Sequence, residues 1–367
     1  MKKNTIYLLA IIIATLAFTQ CSDNPDELIQ AYNIDFNWGP GGDHGFAKPG
    51  LWADADPEEH IQWYEDFGCN VVQTFAVSCN GYAWYKNGFV PEQPGLKTDF
   101  LPEMVRLGHE RGMKIFGYFC AGANNRWEEL HPDLCYQMNG QQIPFTTQYL
   151  DYLCASIEDA VLKTGIDGFM LDWLYNPGGG REPMPPLRWI DCEQEMFVEL
   201  MGESFPGKEK ITKEIELKFR RMSINRAWTR IRETAKKANP DCFIWLTSYE
   251  LKSPEYKGLS LLKEADWVMN EAGDVSRTES VNNLVGANTK LITCLANWNK
   301  QDPLKVVEHA KANNIGLYGF TKPVSGNMMK PIDYYLRNSI DKLENDERNI
   351  AVLIRLYNGL PMDYVKN

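Results

Sequence analysis

Eight short apolar runs recur along this chain, each followed by a polar loop and then a helical stretch. That alternation constrains the fold more than any other feature. The runs are YNIDFNWG, CNVVQTF, MKIFGYFCAG, IDGFMLDW, CFIWLTSYE, ADWVMNEAG, TKLITCLANW and IGLYGFTKP, starting near Tyr32, Cys69, Met113, Ile166, Cys242, Ala265, Thr289 and Ile315. Between them lie helical stretches such as PEEHIQWYEDFG, FLPEMVRLGHERG, TTQYLDYLCASIEDAVLKTG and DPLKVVEHAKANN. Gly68, Gly112 and Gly165 fall just before the next strand, where a helix ends in a left-handed residue that glycine adopts without steric cost. Strands separated by helices pair in parallel through right-handed crossovers. Two architectures satisfy that rule, an open doubly wound sheet and a closed barrel. The open sheet usually carries a glycine-rich phosphate loop that opens the first helix. Here WGPGGDHG has the glycines, but no helix follows in the right place. The pattern predicts an α/β fold, a (β/α)8 TIM barrel with long βα loops, and 367 residues suit a barrel of about 250 residues plus insertions.

The loops after the strands are unequal to those before them. Strand 1 is followed by GPGGDHGFAKPGLW, strand 2 by AVSCNGYAWYKNGFVPEQPG, and strand 4 by NPGGGREPMPPLRW with a further acidic helix. Connections into the strands are short. Barrel active sites are built on the face where strands end, so this asymmetry predicts function there. The tail from Pro331 reads as a closing helix.

The first residues read as a targeting segment. Lys2 and Lys3 precede the apolar stretch Ile6 to Phe18, which is shorter than the ~20 residues of a comfortable span. Cys21 follows, the expected lipid acceptor of a bacterial lipoprotein, although Gln20 stands where such signals carry a small residue. The acidic SDNPDE after it resembles the tether of surface lipoproteins in Bacteroidetes. The expected organisation is a signal over 1–21, a tether over 22–31 and a catalytic barrel over 32–367. The expected location is outside the cytoplasm, lipid-anchored to the periplasmic or cell-surface face of the outer membrane.

A net charge of −11 argues against nucleic acid or an anionic membrane surface as partner, since both need a basic footprint. Nine cysteines include no CxxC pair, and Cys69, Cys120, Cys154, Cys242 and Cys294 sit in apolar patterns as small buried hydrophobes. Five scattered histidines offer no ligand spacing. No metal and no cofactor are expected.

The candidate reactive groups are carboxylates. Side chains alternate along a strand, so if Met170 points into the barrel, Asp172 does too, at the mouth. Asp167 lies at the strand's start and reads as a loop or cap residue. A mouth carboxylate against apolar walls is a candidate nucleophile or base. Glycoside hydrolysis needs a second one from a neighbouring strand end. Glu271 closes strand 6 and ranks first as acid/base; Glu250, closing strand 5, follows. Asp35 reads as a polar residue of the barrel interior. Aromatics make up 12% of the chain, and ring faces stack on the C–H faces of sugars. Trp38, Tyr82, Trp84, Trp127 and Trp173 are the candidate cleft walls, Trp173 being equally compatible with a helix-facing position. Asn37 and Asn80 are candidate partners for sugar hydroxyls.

Four consecutive segments resemble (β/α)8 glycoside hydrolases of the family 29 α-L-fucosidase type and the relatives called hypothetical glycosyl hydrolase family 6. YNIDFNWG is similar to a strand ending His-Trp-Gly, here Asn37-Trp38-Gly39. GCNVVQTFAVSCNGYAWY matches a strand leading to His-His-Asp-Gly-Phe, here Ser78 to Tyr82. ERGMKIFGYFCAGANNRW and IDGFMLDW resemble the third and fourth strands, and the resemblance maps the catalytic nucleophile to Asp172. The fucose-holding histidines are replaced at Asn37, Ser78 and Cys79, which implies a retaining glycosidase for another sugar. Two other readings stand beside it. One is a non-catalytic glycan-binding lipoprotein on the same scaffold; the other is a metal-assisted barrel hydrolase or lyase.

Overall fold

The computed structural model describes residues 28–42, 45–136, 143–174, 189–271, 275–294 and 303–321. The expected signal with Cys21, most of the tether, most of the loop after strand 4 and the expected closing helix lie outside the described residues.

The strands are β1 (Gln30–Ile34), β2 (Val71–Gln73), β3 (Lys114–Cys120), β4 (Gly168–Asp172), β5 (Phe243–Ser248), β6 (Trp267–Asn270), β7 (Lys290–Cys294) and β8 (Gly316–Thr321). Each pairs in parallel with the next, and β8 returns to β1 with Ile34 opposite Thr321, closing the barrel. This is the (β/α)8 TIM barrel that the alternation predicts. β1 begins at Gln30, inside the stretch read as tether, because Asn70 Oδ1 accepts its N–H at 2.8 Å and ties it to the sheet.

The helices between the strands are α1 (Pro57–Phe67), α2 (Phe100–Glu110), α3 (Asn125–Leu130), α4 (Thr147–Thr164), α5 (Asp191–Met201), α6 (Lys213–Ala238), α7 (Leu261–Glu264), α8 (Val275–Glu279) and α9 (Pro303–Ala312). Helix α1 shows how the sequence sets them. Asp56 accepts the Glu58 N–H at 2.9 Å, Pro57 fills the first turn, and Gly68 ends the helix at φ 81°. Ile61, Tyr64 and Phe67 recur on one face and are buried against the barrel. Burying each such side chain contributes about 1.5–3 kcal/mol. Gly112 and Gly165 also take positive φ, at 73° and 72°.

The lower rim is held by a repeated device. Asn70, Asp167 and Asp266 each stand just before an even strand, and each accepts an N–H near the start of the strand before. The bonds run from Gln30 (2.8 Å), Ile115 (2.7 Å) and Ile244 (2.8 Å). Asp167 therefore closes the bottom of the barrel, as the loop-or-cap reading requires. The insertion after β4 carries its own small core of Trp189, Met196, Phe197 and Phe219 between α5 and α6. All the cysteines among the described residues are buried and free.

Candidate active site at the barrel mouth

Alternation along β4 sends Met170 and Asp172 inward, while Leu171 is fully buried outside. Met170 and Asp172 line a cavity of about 380 Å³ at the strand ends. Asp172 is gripped from two sides. Its Oδ2 accepts the Tyr118 hydroxyl at 2.7 Å, and its Oδ1 accepts the Trp173 N–H at 2.8 Å. The second bond depends on an unusual backbone. Trp173 has φ +52°, a left-handed conformation that costs a non-glycine residue about 1 kcal/mol or more. Strict alternation would send its ring to the helix layer. The left-handed turn instead brings the ring onto the cavity wall, with its centroid 6.2 Å from that of Phe46.

Glu271 follows β6 directly. Its N–H donates to Ser248 O at 3.1 Å, and its Oε1 accepts the Thr247 hydroxyl at 2.6 Å. These bonds turn the side chain into the cavity that Asp172 also lines, where its charge acts on the Asp172 carboxyl. Burial pushes both carboxyls up from the ordinary carboxylate range. Asp172 rises further, well above its usual value, because the charge of Glu271 adds to its burial. The Tyr118 and Trp173 donors oppose that rise. Two neighbouring buried carboxyls cannot both ionise cheaply, so the ionisation of one depends on that of the other.

The other candidates divide. Trp38 and Asn37 line the cavity. Trp38 Nε1 donates to Asp35 Oδ2 at 3.0 Å, and Asn37 Oδ1 accepts the Cys79 N–H at 2.8 Å, joining the loops after β1 and β2. Asp35 lines the cavity as a third carboxylate. Glu250 does not line it; its N–H turns to Ser248 Oγ at 3.3 Å, and the neighbouring Tyr249 occupies the wall.

Asn80, Tyr82, Trp84 and Trp127 also lie off the cavity. Asn80 is paired with Gln93, whose Nε2 reaches its Oδ1 at 3.0 Å, so its amide staples the β2 loop. Tyr82 lies under the Arg126 guanidinium, 5.9 Å from its ring centre. Trp84 is buried against Phe36 and Phe100, with its Nε1 on Ser78 Oγ at 2.7 Å. The loop folds back because Trp84 N–H bonds to Ala76 O at 3.0 Å. Trp127 packs against Tyr149 and Tyr152.

Sequence reasoning missed Tyr118, Asn33, Gln73, Tyr249, Tyr318 and Phe320 on the wall. Tyr118 was within reach of the alternation argument, since it pairs with Met170 across β3 and β4 and so shares the inward face. Among the described residues, no group of three or more His, Cys, Asp and Glu side chains is arranged to hold a metal ion.

Comparison with known proteins gives the same direction. A family model described as hypothetical glycosyl hydrolase 6 matches residues 56–173, a span that ends just past Asp172. The α-L-fucosidase isoenzyme 2 from Paenibacillus thiaminolyticus superimposes with a TM-score of 0.62 at 15% identity. That match covers 90% of this chain and 49% of the fucosidase, so the chain spans about half of that enzyme's length. The glycoside hydrolase domain of PgaB (BpsB) from Bordetella bronchiseptica gives a TM-score of 0.53 at 12% identity, covering 81% of this chain and 94% of that domain. No curated protein matches by sequence. The motif resemblance to barrel glycoside hydrolases thus holds at the level of the family model and of the fold.

Proposed function

We propose that the protein is a retaining glycoside hydrolase acting on O-glycosidic bonds of oligo- or polysaccharides. Asp172 is its nucleophile and Glu271 its general acid and base. The observation that carries this reading is the presence of two buried carboxyls, Asp172 and Glu271, on the wall of one aromatic-lined cavity, with the charge of Glu271 acting on Asp172. Retaining pairs stand ~5–5.5 Å apart and inverting pairs ~6.5–9.5 Å, and a pair in which the charge of Glu271 acts on Asp172 supports the shorter spacing. A sugar ring entering between them relieves the charge of Glu271 on Asp172. The two fixed donors then leave Asp172 as the ionised partner, and the proton stays on Glu271. Asp172 attacks the anomeric carbon as Glu271 protonates the leaving oxygen. Glu271 next takes a proton from water, whose oxygen displaces Asp172 and leaves Glu271 protonated as at the start. The same pair on one cavity wall favours catalysis over a purely glycan-binding role, which would not require paired carboxyls.

Ser78 and Asn37 stand where the fucosidase resemblance carries histidines, and both side chains are engaged in holding loops. That supports a sugar other than fucose. The segment around Cys21 supports export and a lipid anchor on the outer membrane, which labelled-lipid incorporation lost in Cys21→Ala would test. The enzymatic reading is tested by screening chromogenic glycosides and plant or host glycans. Turnover by wild type, with none by Asp172→Asn, is expected. Equal turnover by the variant would remove Asp172 from the mechanism, and hydrolysis of nothing by wild type would leave glycan binding.

A further inference from the structure

Each carboxyl at the mouth takes a hydroxyl donor from the strand that precedes its own. Tyr118 of β3 donates to Asp172 at the end of β4, at 2.7 Å, and Thr247 of β5 donates to Glu271 just past β6, at 2.6 Å. The parallel register sets both in the same way. Tyr118 stands opposite Met170 and Thr247 opposite Met269, so each donor pairs with the residue two places before the carboxyl that it serves. Met170 and Met269 both line the cavity, and alternation carries the two carboxyls onto the same face. The two donors differ in where they sit. Tyr118 is on the cavity wall, whereas Thr247 is 1% exposed and lies behind the wall. Thr247 therefore holds Glu271 from the side away from any bound sugar, and it does so at one atom, Oε1.

An ionised carboxylate only accepts, so a hydroxyl beside it donates. Threonine is stiff about its first side-chain torsion, and here it is fixed within a paired strand, so its hydroxyl is aimed in advance. We propose that Thr247 is a positioning residue of the reaction: it pins Oε1 of Glu271, so that Oε2 gives the proton to the leaving oxygen and later takes one from water. The inference rests on the hydrolase reading and deepens it. In the first half, the bond from the anomeric carbon to the leaving oxygen breaks as Asp172 bonds to that carbon. The proton on Oε2 passes to the leaving oxygen, and Thr247 stabilises the carboxylate left behind. In the second half, water gives a proton to Oε2 while its oxygen takes the anomeric carbon from Asp172. Burial pushes the Glu271 carboxyl up and the Thr247 hydroxyl opposes that rise. A group that must both give and take a proton benefits from that balance.

The test compares Thr247→Val, which keeps the branched shape and removes the donor, with Thr247→Ser, which keeps the donor. Both are checked for folding by circular dichroism. Carbon-13 NMR of the full chain, labelled at glutamate carboxyls and assigned with Glu271→Gln, follows the Glu271 titration directly. Kinetics use whichever sugar the wild type releases, as its 2,4-dinitrophenyl and its methyl glycoside. In Thr247→Val the Glu271 midpoint and the basic limb of kcat/KM should both move to higher pH, because a donor to the ionised form is gone. On the methyl glycoside kcat/KM should fall about tenfold or more, as a lost hydrogen bond to a charged group warrants. The 2,4-dinitrophenyl glycoside should lose much less, since its leaving oxygen needs little protonation. Thr247→Ser should restore all three readouts. An unmoved midpoint in Thr247→Val, an equal loss on both glycosides, or a serine variant as impaired as the valine one overturns the proposal. Its fate is separable from that of the hydrolase reading. Hydrolysis with an unmoved midpoint would keep the enzyme and discard the role of Thr247. A moved midpoint in a protein that hydrolyses nothing would discard the enzyme, and proton delivery with it, and leave Thr247 as a purely structural anchor of Glu271.

Discussion

Replacing Asp172 with Asn should abolish turnover and at the same time make the protein more stable, and the gain should depend on pH. Asn keeps an oxygen for the Trp173 N–H and turns its amide N–H toward the Tyr118 hydroxyl oxygen, which can accept it, so it fills the place of the protonated aspartate without the need to bind a proton. In the wild type, burial and Glu271 hold the Asp172 carboxyl well above its unfolded value. Between those two values the native state binds one more proton than the unfolded chain. Wild-type stability is then complete below the unfolded value near pH 4 and falls by about 1.4 kcal/mol per pH unit above it, until the folded value is passed. The variant lacks that slope at this site. Urea unfolding followed by circular dichroism at intervals from pH 4 to 8 should show the variant's advantage near zero at the acid end. It should widen at about 1.4 kcal/mol per unit and then level off. An advantage that is flat with pH would refute the raised, buried Asp172 carboxyl. Retained hydrolysis would refute the nucleophile assignment independently.

Other outcomes follow from the same geometry. Glu271→Gln should lower kcat by orders of magnitude while Glu250→Gln stays within a fewfold of wild type, because Glu271 alone of the two lines the cavity with Asp172; steady-state kinetics on any hydrolysed glycoside distinguishes them. Tyr118→Phe removes a hydroxyl donor 2.7 Å from Asp172, worth about 1.5–3 kcal/mol to a charged acceptor, so kcat/KM should fall roughly ten- to a hundredfold and its acid limb move to higher pH. Trp84→Ala should destabilise by about 3–5 kcal/mol as a buried aromatic truncation, read as a lower unfolding midpoint, while affinity for glycans in the still-folded fraction is kept. The cysteines at positions 69, 79, 120, 135, 154, 192, 242 and 294 should resist Ellman's reagent in the native protein and react in guanidinium, since all are buried.

The barrel was legible because parallel strands are covered on both faces and so read as near-continuous apolar runs. Capping residues such as Asp56 and Gly68 then marked where helices start and stop. Asp172 stood out for the complementary reason, as a charge at the end of an apolar run. Tyr118 did not, because a tyrosine inside KIFGYFC looks like core until the register with Met170 shows which way it points. Trp84 and Trp127 misled in the opposite sense. Aromatics in a loop after a strand suggest a cleft wall, but the β2 loop bonds back onto its own strand and buries Trp84. Neither fact is local in sequence: each depends on which backbone groups find each other once the barrel closes.

Trp173 joins these observations. Its left-handed φ is unfavourable, and the carboxyl pair beside it is unfavourable too, since both groups are pushed up by burial. The Tyr118, Trp173 and Thr247 hydrogen bonds offset them only in part, since both carboxyls stay raised. The stabilising contacts lie at the other end, where Asn70, Asp167 and Asp266 pin the strand starts, and His109 adds to Asp167 at 2.9 Å. The His109 pKa is raised by that hydrogen bond, so its contribution is full below the unfolded value near 6.5 and fades as pH rises through the folded one. The two ends of the barrel therefore answer to pH through different groups. Neutralising Asp172 removes its share of the dependence that begins near pH 4, Glu271 keeping its own, and His109→Gln should remove the one that begins near pH 6.5, leaving activity at the mouth unchanged. A single variant that abolished both dependences would mean the two rims unfold as one electrostatic unit, contrary to the separation of stability and chemistry seen in the barrel.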